Sequence, residues 1–216
     1  MALDELFNAI CPARFESVGD KRKLVVFLPA VTNKAIFPYF PRISWRLDLV
    51  EDADVLYLAD PYQQLPEYKE SMGSWFISPE GKSLLPSIVE AFNSNEVQDK
   101  YENIVFYGSS MGGYASIMLG LQVGKSKSIA ECPQINLDKH PGSAYVLSQM
   151  MPDNVDELLP FKYIKNSKKF DITIVCSVFD LHHQRKHLIR FQDFLSNEER
   201  VLGSFKFVNY LNPNYK

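Results

Sequence analysis

One stretch constrains this chain more than any other: Ile104-Val105-Phe106-Tyr107-Gly108-Ser109-Ser110-Met111-Gly112-Gly113-Tyr114-Ala115-Ser116-Ile117-Met118-Leu119. An apolar, β-prone run ends at Gly108, a turn of small residues follows, and an apolar helical pattern then begins. Inside the turn, Gly108, Ser110 and Gly112 are spaced as G-x-S-x-G. A serine at the tip of a sharp strand-to-helix turn takes strained backbone angles, and its hydroxyl stands clear of the sheet. The residues two before and two after it crowd each other, and glycine at both positions removes the side chains that would clash. The first turn of the following helix has free N–H groups, which makes the Met111 N–H a candidate donor to an oxyanion formed at Ser110. Five residues of this kind recur by chance. The strand before and the helix after give the pattern its meaning as a nucleophile elbow.

On either side, strand-like and helix-like segments alternate. Lys23–Leu28, Asp54–Leu58, 103–107, Ser128–Glu131, Asp171–Val178 and Ser204–Leu211 read as strands. Ser83–Asn93 puts Leu84, Leu85, Ile88, Val89 and Phe92 on one helical face, with Pro86 in the first turn, where proline is tolerated. Residues 111–123 and His183–Leu195 also read as helices, and 141–160 as helical with breaks at Pro152 and Pro160. Residues 1–20 read as an edge strand or a lead-in arm. Residues 34–52, rich in aromatics, read as a loop packed over the sheet edge. The alternation predicts an α/β fold in one domain over 1–216: a doubly wound, mostly parallel sheet with helices on both faces.

At the elbow the chain resembles the α/β-hydrolase superfamily, over roughly residues 22–210. On Gly108–Tyr114, Ala59-Asp60-Pro61, Gly73-Ser74-Trp75-Phe76 and Pro133-Gln134 it looks like the small serine-hydrolase-like proteins of bacterial surface-polysaccharide gene clusters. The resemblance implies an α/β-hydrolase-like sheet with a minimal cap in 141–160. It also implies a serine esterase or acyl transferase acting on an ester, with a small-molecule or glycan ester such as an acetylated polysaccharide as substrate. Ser110 would be the nucleophile. The second oxyanion donor would come from the loop after Lys23–Leu28. Pro29 has no N–H, so Ala30 or Val31 is the candidate, although no His-Gly-Gly motif is present. Asp60, Trp75 and Tyr114 are candidate substrate contacts. Asp60 is equally a cap for the turn that Pro61 starts, and Trp75 a packing residue.

A serine nucleophile needs a base for its proton and a carboxylate to hold the base's tautomer. The superfamily order is serine, acid, histidine. Asp180, just past a strand, matches the acid and equally suits a helix N-cap. The histidine is the difficulty. The loop after the last strand, Asn212-Pro213-Asn214-Tyr215-Lys216, holds none, and no closing helix follows. Three explanations remain open: a truncated chain, a degenerate hydrolase that only binds a partner, or a base taken from His182 or His183 beside the acid. His140 is a further candidate. His183 and His187, four apart on a helix, also raise the question of a metal. With no glutamate in the H-E-x-x-H manner and no clear further ligand, a solvated helix face is the preferred reading and no metal is expected.

Composition excludes other classes. Of 216 residues, 46% are hydrophobic and 23% charged, with a formal charge of -3, which suits a globular domain and argues against nucleic acid or a polybasic membrane surface as partner. Lys21-Arg22-Lys23 and Lys162–Lys169 read as solvated turns. Three cysteines, Cys11, Cys132 and Cys176, do not make a disulfide framework, and Cys132 and Cys176 read as buried thiols. The N-terminus is acidic, and no window approaches the roughly 20 apolar residues of a membrane span, so a cytoplasmic protein is expected. No G-x-G-x-x-G or P-loop pattern appears, so no nucleotide cofactor is expected. The sequence leaves the oligomeric state open.

Overall fold

The computed structural model describes residues 3–33, 36–165, 170–198 and 203–212. Seven strands form one sheet: β1 (Ala13–Glu16), β2 (Lys23–Leu28), β3 (Asp54–Leu58), β4 (Asn103–Ser109), β5 (Ser126–Glu131), β6 (Asp171–Ser177) and β7 (Ser204–Tyr210). Their spatial order is β1-β3-β2-β4-β5-β6-β7. β1 pairs antiparallel with β3 and the other pairings are parallel. The chain winds from β2 outward to β3, then crosses back to β4 on the other side of β2. Loops diverge at that switch point, and the crevice above the carboxyl ends of β2 and β4 is where open α/β sheets bind ligands.

The helices are α1 (Leu3–Asn8), α2 (Arg46–Leu49), α3 (Leu85–Phe92), α4 (Asn95–Lys100), α5 (Met111–Gly120), α6 (Pro141–Met150), α7 (Pro160–Ile164), α8 (Leu181–His183) and α9 (Ile189–Asn197). A π-helical turn, Gln184–Leu188, joins α8 to α9. Pro160 starts α7 rather than merely ending the helix before it, because its missing N–H costs nothing in a first turn. Sequence periodicity missed α1 and α4, each only six residues long. α1 is fixed by tertiary packing: Phe7 is fully buried with its ring 4.5 Å from that of Phe92. Pairing with β3 makes the 13–16 segment an edge strand, one of the two readings of the N-terminal arm.

Register puts Leu24, Val26, Ile104, Phe106, Ala130, Ile172, Ile174 and Cys176 on one face of the sheet, and all are buried. α5, apolar all round and wholly buried, lies against this face with α3 and α9. Each such aliphatic or aromatic side chain contributes about 1.5–3 kcal/mol by leaving water. The opposite face differs along its width. Over β2 and β3 it is covered by the 40–50 segment, where Phe40, Ile43, Leu49 and Val50 pack on Phe27, Val55 and Tyr57. That segment therefore covers a face rather than an edge. Over β4–β7 the alternate residues Val105, Ile129, Val175 and Val208 stay half-buried or exposed.

Candidate active site

β4 ends at Ser109, and α5 begins at Met111. Ser110 between them has φ 57° and ψ −115°, a conformation side chains rarely take. The backbone on both sides holds it there. The Ser110 N–H donates to the Glu131 carbonyl at 2.9 Å, and the Ser110 carbonyl accepts from Tyr114 N–H at 3.1 Å and Gln134 N–H at 3.4 Å. A Cβ on Gly108 would lie 2.2 Å from the Gly112 carbonyl carbon, and one on Gly112 would lie 2.5 Å from the Leu28 carbonyl oxygen. The loop after β2 thus runs directly over the start of α5, beside Ser110. Its residues Ala30 and Val31 are half-buried. Gln63 Nε2 donates to the Ala30 carbonyl and to the Met72 carbonyl, each at 3.0 Å, and Thr32 N–H donates to Met72 at 3.1 Å. These bonds clamp the loop where the second oxyanion donor is expected.

Asp60, Trp75 and Tyr114 do not line an open pocket in this fold; all three are fully buried. The Asp60 carboxylate accepts from Tyr62 N–H at 3.1 Å, Ser74 N–H at 3.0 Å and the Ser74 hydroxyl at 2.5 Å. Burial pushes its pKa up while those bonds pull it back. It caps the turn at Pro61 and ties it to the 72–76 segment. Trp75 Nε1–H donates to Gln134 Oε1 at 2.8 Å, and its ring centre lies 5.7 Å from that of His140. Tyr114 donates its hydroxyl to the Leu158 carbonyl at 2.8 Å, and burial raises its pKa far above the ordinary phenol value. The three side chains brace the crevice from behind.

Asp180 follows the end of β6 and makes two contacts with His183. Oδ1 caps α8 by accepting the His183 N–H at 3.1 Å, and Oδ2 meets His183 Nδ1 at 2.7 Å. The carboxylate assigns the Nδ1 proton to His183, which leaves Nε2 with a free lone pair. That Nε2 is buried without a partner. Burial lowers the His183 pKa and Asp180 raises it, with burial prevailing, so the ring is neutral near pH 7.

All four histidines of the chain meet here. Ring centres lie 5.5 Å apart for His182 and His183, 5.4 Å for His183 and His187, 5.6 Å for His182 and His187, and 6.1 Å for His140 and His182. The preference for a solvated helix face at His183 and His187 is overturned: His187 is fully buried. The π turn adds a residue to the helical turn and rotates His187 inward, a shift that a 3.6-residue pattern does not anticipate. Its Nδ1 accepts the Asn136 N–H at 3.1 Å, so its proton sits on Nε2, which has no partner. His140 Nδ1 is likewise unpartnered. Burial and the neighbouring imidazoles hold the pKa of His187 at about 3 and that of His140 at about 4. Among the described residues, no hydrogen bond joins an imidazole to the Ser110 hydroxyl. The Ser110 backbone carbonyl, not its hydroxyl, connects through Gln134 and Trp75 to His140. Of the loop after β7, Leu211 and Asn212 are described; Pro213–Lys216 lie outside the described residues, as do Asn166–Lys169 of the second basic cluster.

The strand order is that of the α/β-hydrolase fold, and this protein has that fold. It is similar in structure to the capsule O-acetyltransferase of Neisseria meningitidis serogroup A, with a TM-score of 0.65 at 20% identity, covering 93% of this chain and 83% of that one. An S-formylglutathione hydrolase from Agrobacterium tumefaciens superposes with a TM-score of 0.61 at 10% identity, covering 91% and 79%. Esterase B from Lactobacillus rhamnosis, in a phosphonate-inhibited form, gives 0.59 at 13% identity, covering 92% and 69%. No protein-family model and no curated relative matches the sequence. No helix among the described residues is long and apolar enough to cross a membrane.

Proposed function

We propose that the protein catalyses acyl transfer from an ester or thioester through Ser110, with an acylated glycan or its acetyl donor as the substrate class. Ser110 Oγ attacks the acyl carbonyl, and His183 Nε2 takes its proton. Asp180 holds the imidazole in the required tautomer and stabilises the imidazolium. The Met111 N–H and the N–H of Ala30 or Val31 bind the oxyanion. His183 returns the proton to the leaving group, and a water or alcohol then resolves the acyl-serine. The observation that carries this reading is a strained, half-buried serine after β4 and a pre-oriented Asp180–His183 dyad after β6, at the same end of one parallel sheet. Transfer also requires the 178–183 loop to bring Nε2 within about 3 Å of Oγ once substrate binds. The structural neighbours support the reaction class: one acetylates a capsule and has been solved with CoA, and the others cleave esters or thioesters.

A fluorophosphonate probe should label Ser110, and Ser110→Ala should lose the label while keeping its fold. A second reading, a hydrolase-fold protein that binds without turning over, is favoured by the unpartnered His183 Nε2. It predicts no labelling of a folded sample, and that result would set catalysis aside.

A further inference from the structure

Beneath the acid lies a second cluster that acyl transfer does not use. Cys132, at the end of β5, and Cys176, near the end of β6, bring their sulfurs to 3.7 Å, and both side chains are buried. Their sulfurs and a carboxylate oxygen of Asp180 all lie within 4.8 Å of one another. Adjacent strands create the cluster. Glu131 pairs with Val175, so the next residues, Cys132 and Cys176, stand side by side, and the Cys132 N–H donates to the Val175 carbonyl at 2.8 Å. No disulfide joins them; all three cysteines are free.

We infer that Cys132, Cys176 and Asp180 form a binding site for a thiophilic divalent cation, zinc being the physiological candidate. Two sulfurs each about 2.3 Å from a tetrahedral zinc sit about 3.8 Å apart, close to the separation that the chain already holds. Thiolate ligands select zinc or cadmium over magnesium or calcium, which prefer all-oxygen sets. Binding releases one proton from each thiol and forms two metal–sulfur bonds and one metal–oxygen bond, leaving the fourth position to water. Asp180 Oδ2 is already hydrogen-bonded to His183 Nδ1, and carboxylates that ligate metals are themselves hydrogen-bonded in this way. The three orphaned histidine nitrogens do not compete for the ion, because no trio that includes a histidine nitrogen meets the same spacing among the described residues.

Occupancy has a functional consequence, which rests on the dyad proposed above. A cation on Asp180 competes with His183 Nδ1 for the carboxylate that orients the ring, so the ion acts as an inhibitor that a chelator reverses. The binding itself is independent of any activity.

Reduced, metal-free protein is titrated with Cd2+ and then Zn2+, with ultraviolet thiolate-to-metal absorption and proton release as readouts. One equivalent should produce a two-thiolate band with two protons released, and Zn2+ should displace the Cd2+. Cys132→Ser and Cys176→Ser should each lose that band, Asp180→Asn should weaken affinity by at least about tenfold, and Cys11→Ser should change nothing. Alkylation of the parent protein, followed by mass spectrometry, needs no variant: Zn2+ should slow modification of Cys132 and Cys176 but not of Cys11. A missing thiolate band at excess metal, a band that survives Cys176→Ser in a folded variant, or equal alkylation with and without Zn2+ would overturn the site. Inhibition is read separately, so loss of binding and absence of esterase activity are distinct results.

Discussion

The elbow and the histidine cluster sit at the same rim of the sheet and are built in opposite ways. At the elbow the Ser110 backbone is tied down: it is bonded to Glu131, Tyr114 and Gln134, and the glycines on either side touch neighbouring backbone with no room for a methyl group. In the cluster the backbone is mixed, with His140 on an extended residue, His182 and His183 on a short helix and His187 on the π turn, and buried ring nitrogens of His140, His183 and His187 lack partners. One region fixes an atom in space. The other keeps hydrogen-bonding capacity unspent.

The sharpest way to break this contrast is to unlink the dyad. Asp180→Asn should lower acyl transfer by roughly 10³–10⁴-fold with the fold retained, because the amide no longer enforces the Nδ1–H tautomer. Turnover at the parent's rate would show that the cluster does not serve Ser110. The next largest effect should come from Gly112→Ala, whose new methyl meets the Leu28 carbonyl oxygen at 2.5 Å; about 3 kcal/mol of stability should be lost in urea denaturation. Gly19→Ala is the control. Gly19 has φ 81° and nothing within 4 Å of a Cβ, so it isolates backbone strain from clash and should cost only about 1 kcal/mol. Trp75→Phe removes the donor to Gln134 Oε1 and should cost about 1–3 kcal/mol by leaving that oxygen buried and unmet; a smaller loss in thermal melting would mean that Gln134 turns to another donor.

A separate effect concerns pH. His187 has a pKa of about 3 in the fold, against the ordinary value of 6.5, and faces His182, His183, His140 and Arg190. As pH falls below 6.5 the unfolded chain takes up a proton that the native protein refuses, so the unfolded state gains and stability drops until about pH 3. His187→Asn keeps an acceptor for the Asn136 N–H and removes the titration. Melting temperatures measured from pH 7 to pH 4 should fall less steeply in that variant, and an unchanged slope would assign the acid sensitivity to other groups.

The same contrast explains what the sequence could and could not reveal. The elbow was legible because its causes are local: Gly108, Ser110 and Gly112 lie within five residues, between a strand pattern and a helix pattern. Asp180 was legible because a strand end and a cap both point to it. The cluster was not. It joins His140 to His182, His183 and His187 across separate loops, and the π turn at Gln184–Leu188 decides which way His187 faces. The burial of Asp60, Trp75 and Tyr114 was not legible, since it depends on Ser74, Gln134 and Leu158 arriving from elsewhere. The cysteine pair depended on the β5–β6 register, which no single segment encodes.

The uneven covering of the sheet bears on how the molecule behaves in a crowd. Over β4–β7 the outward strip of Val105, Ile129, Val175 and Val208 is interrupted by Lys127, paired with Asp171 at 3.3 Å, and by exposed Lys206. Lysines set among apolar rungs keep such a strip wetted and repel other chains that would otherwise adhere to it. Burying this strip against another chain would strip water from both lysines, which keeps the face open to solvent.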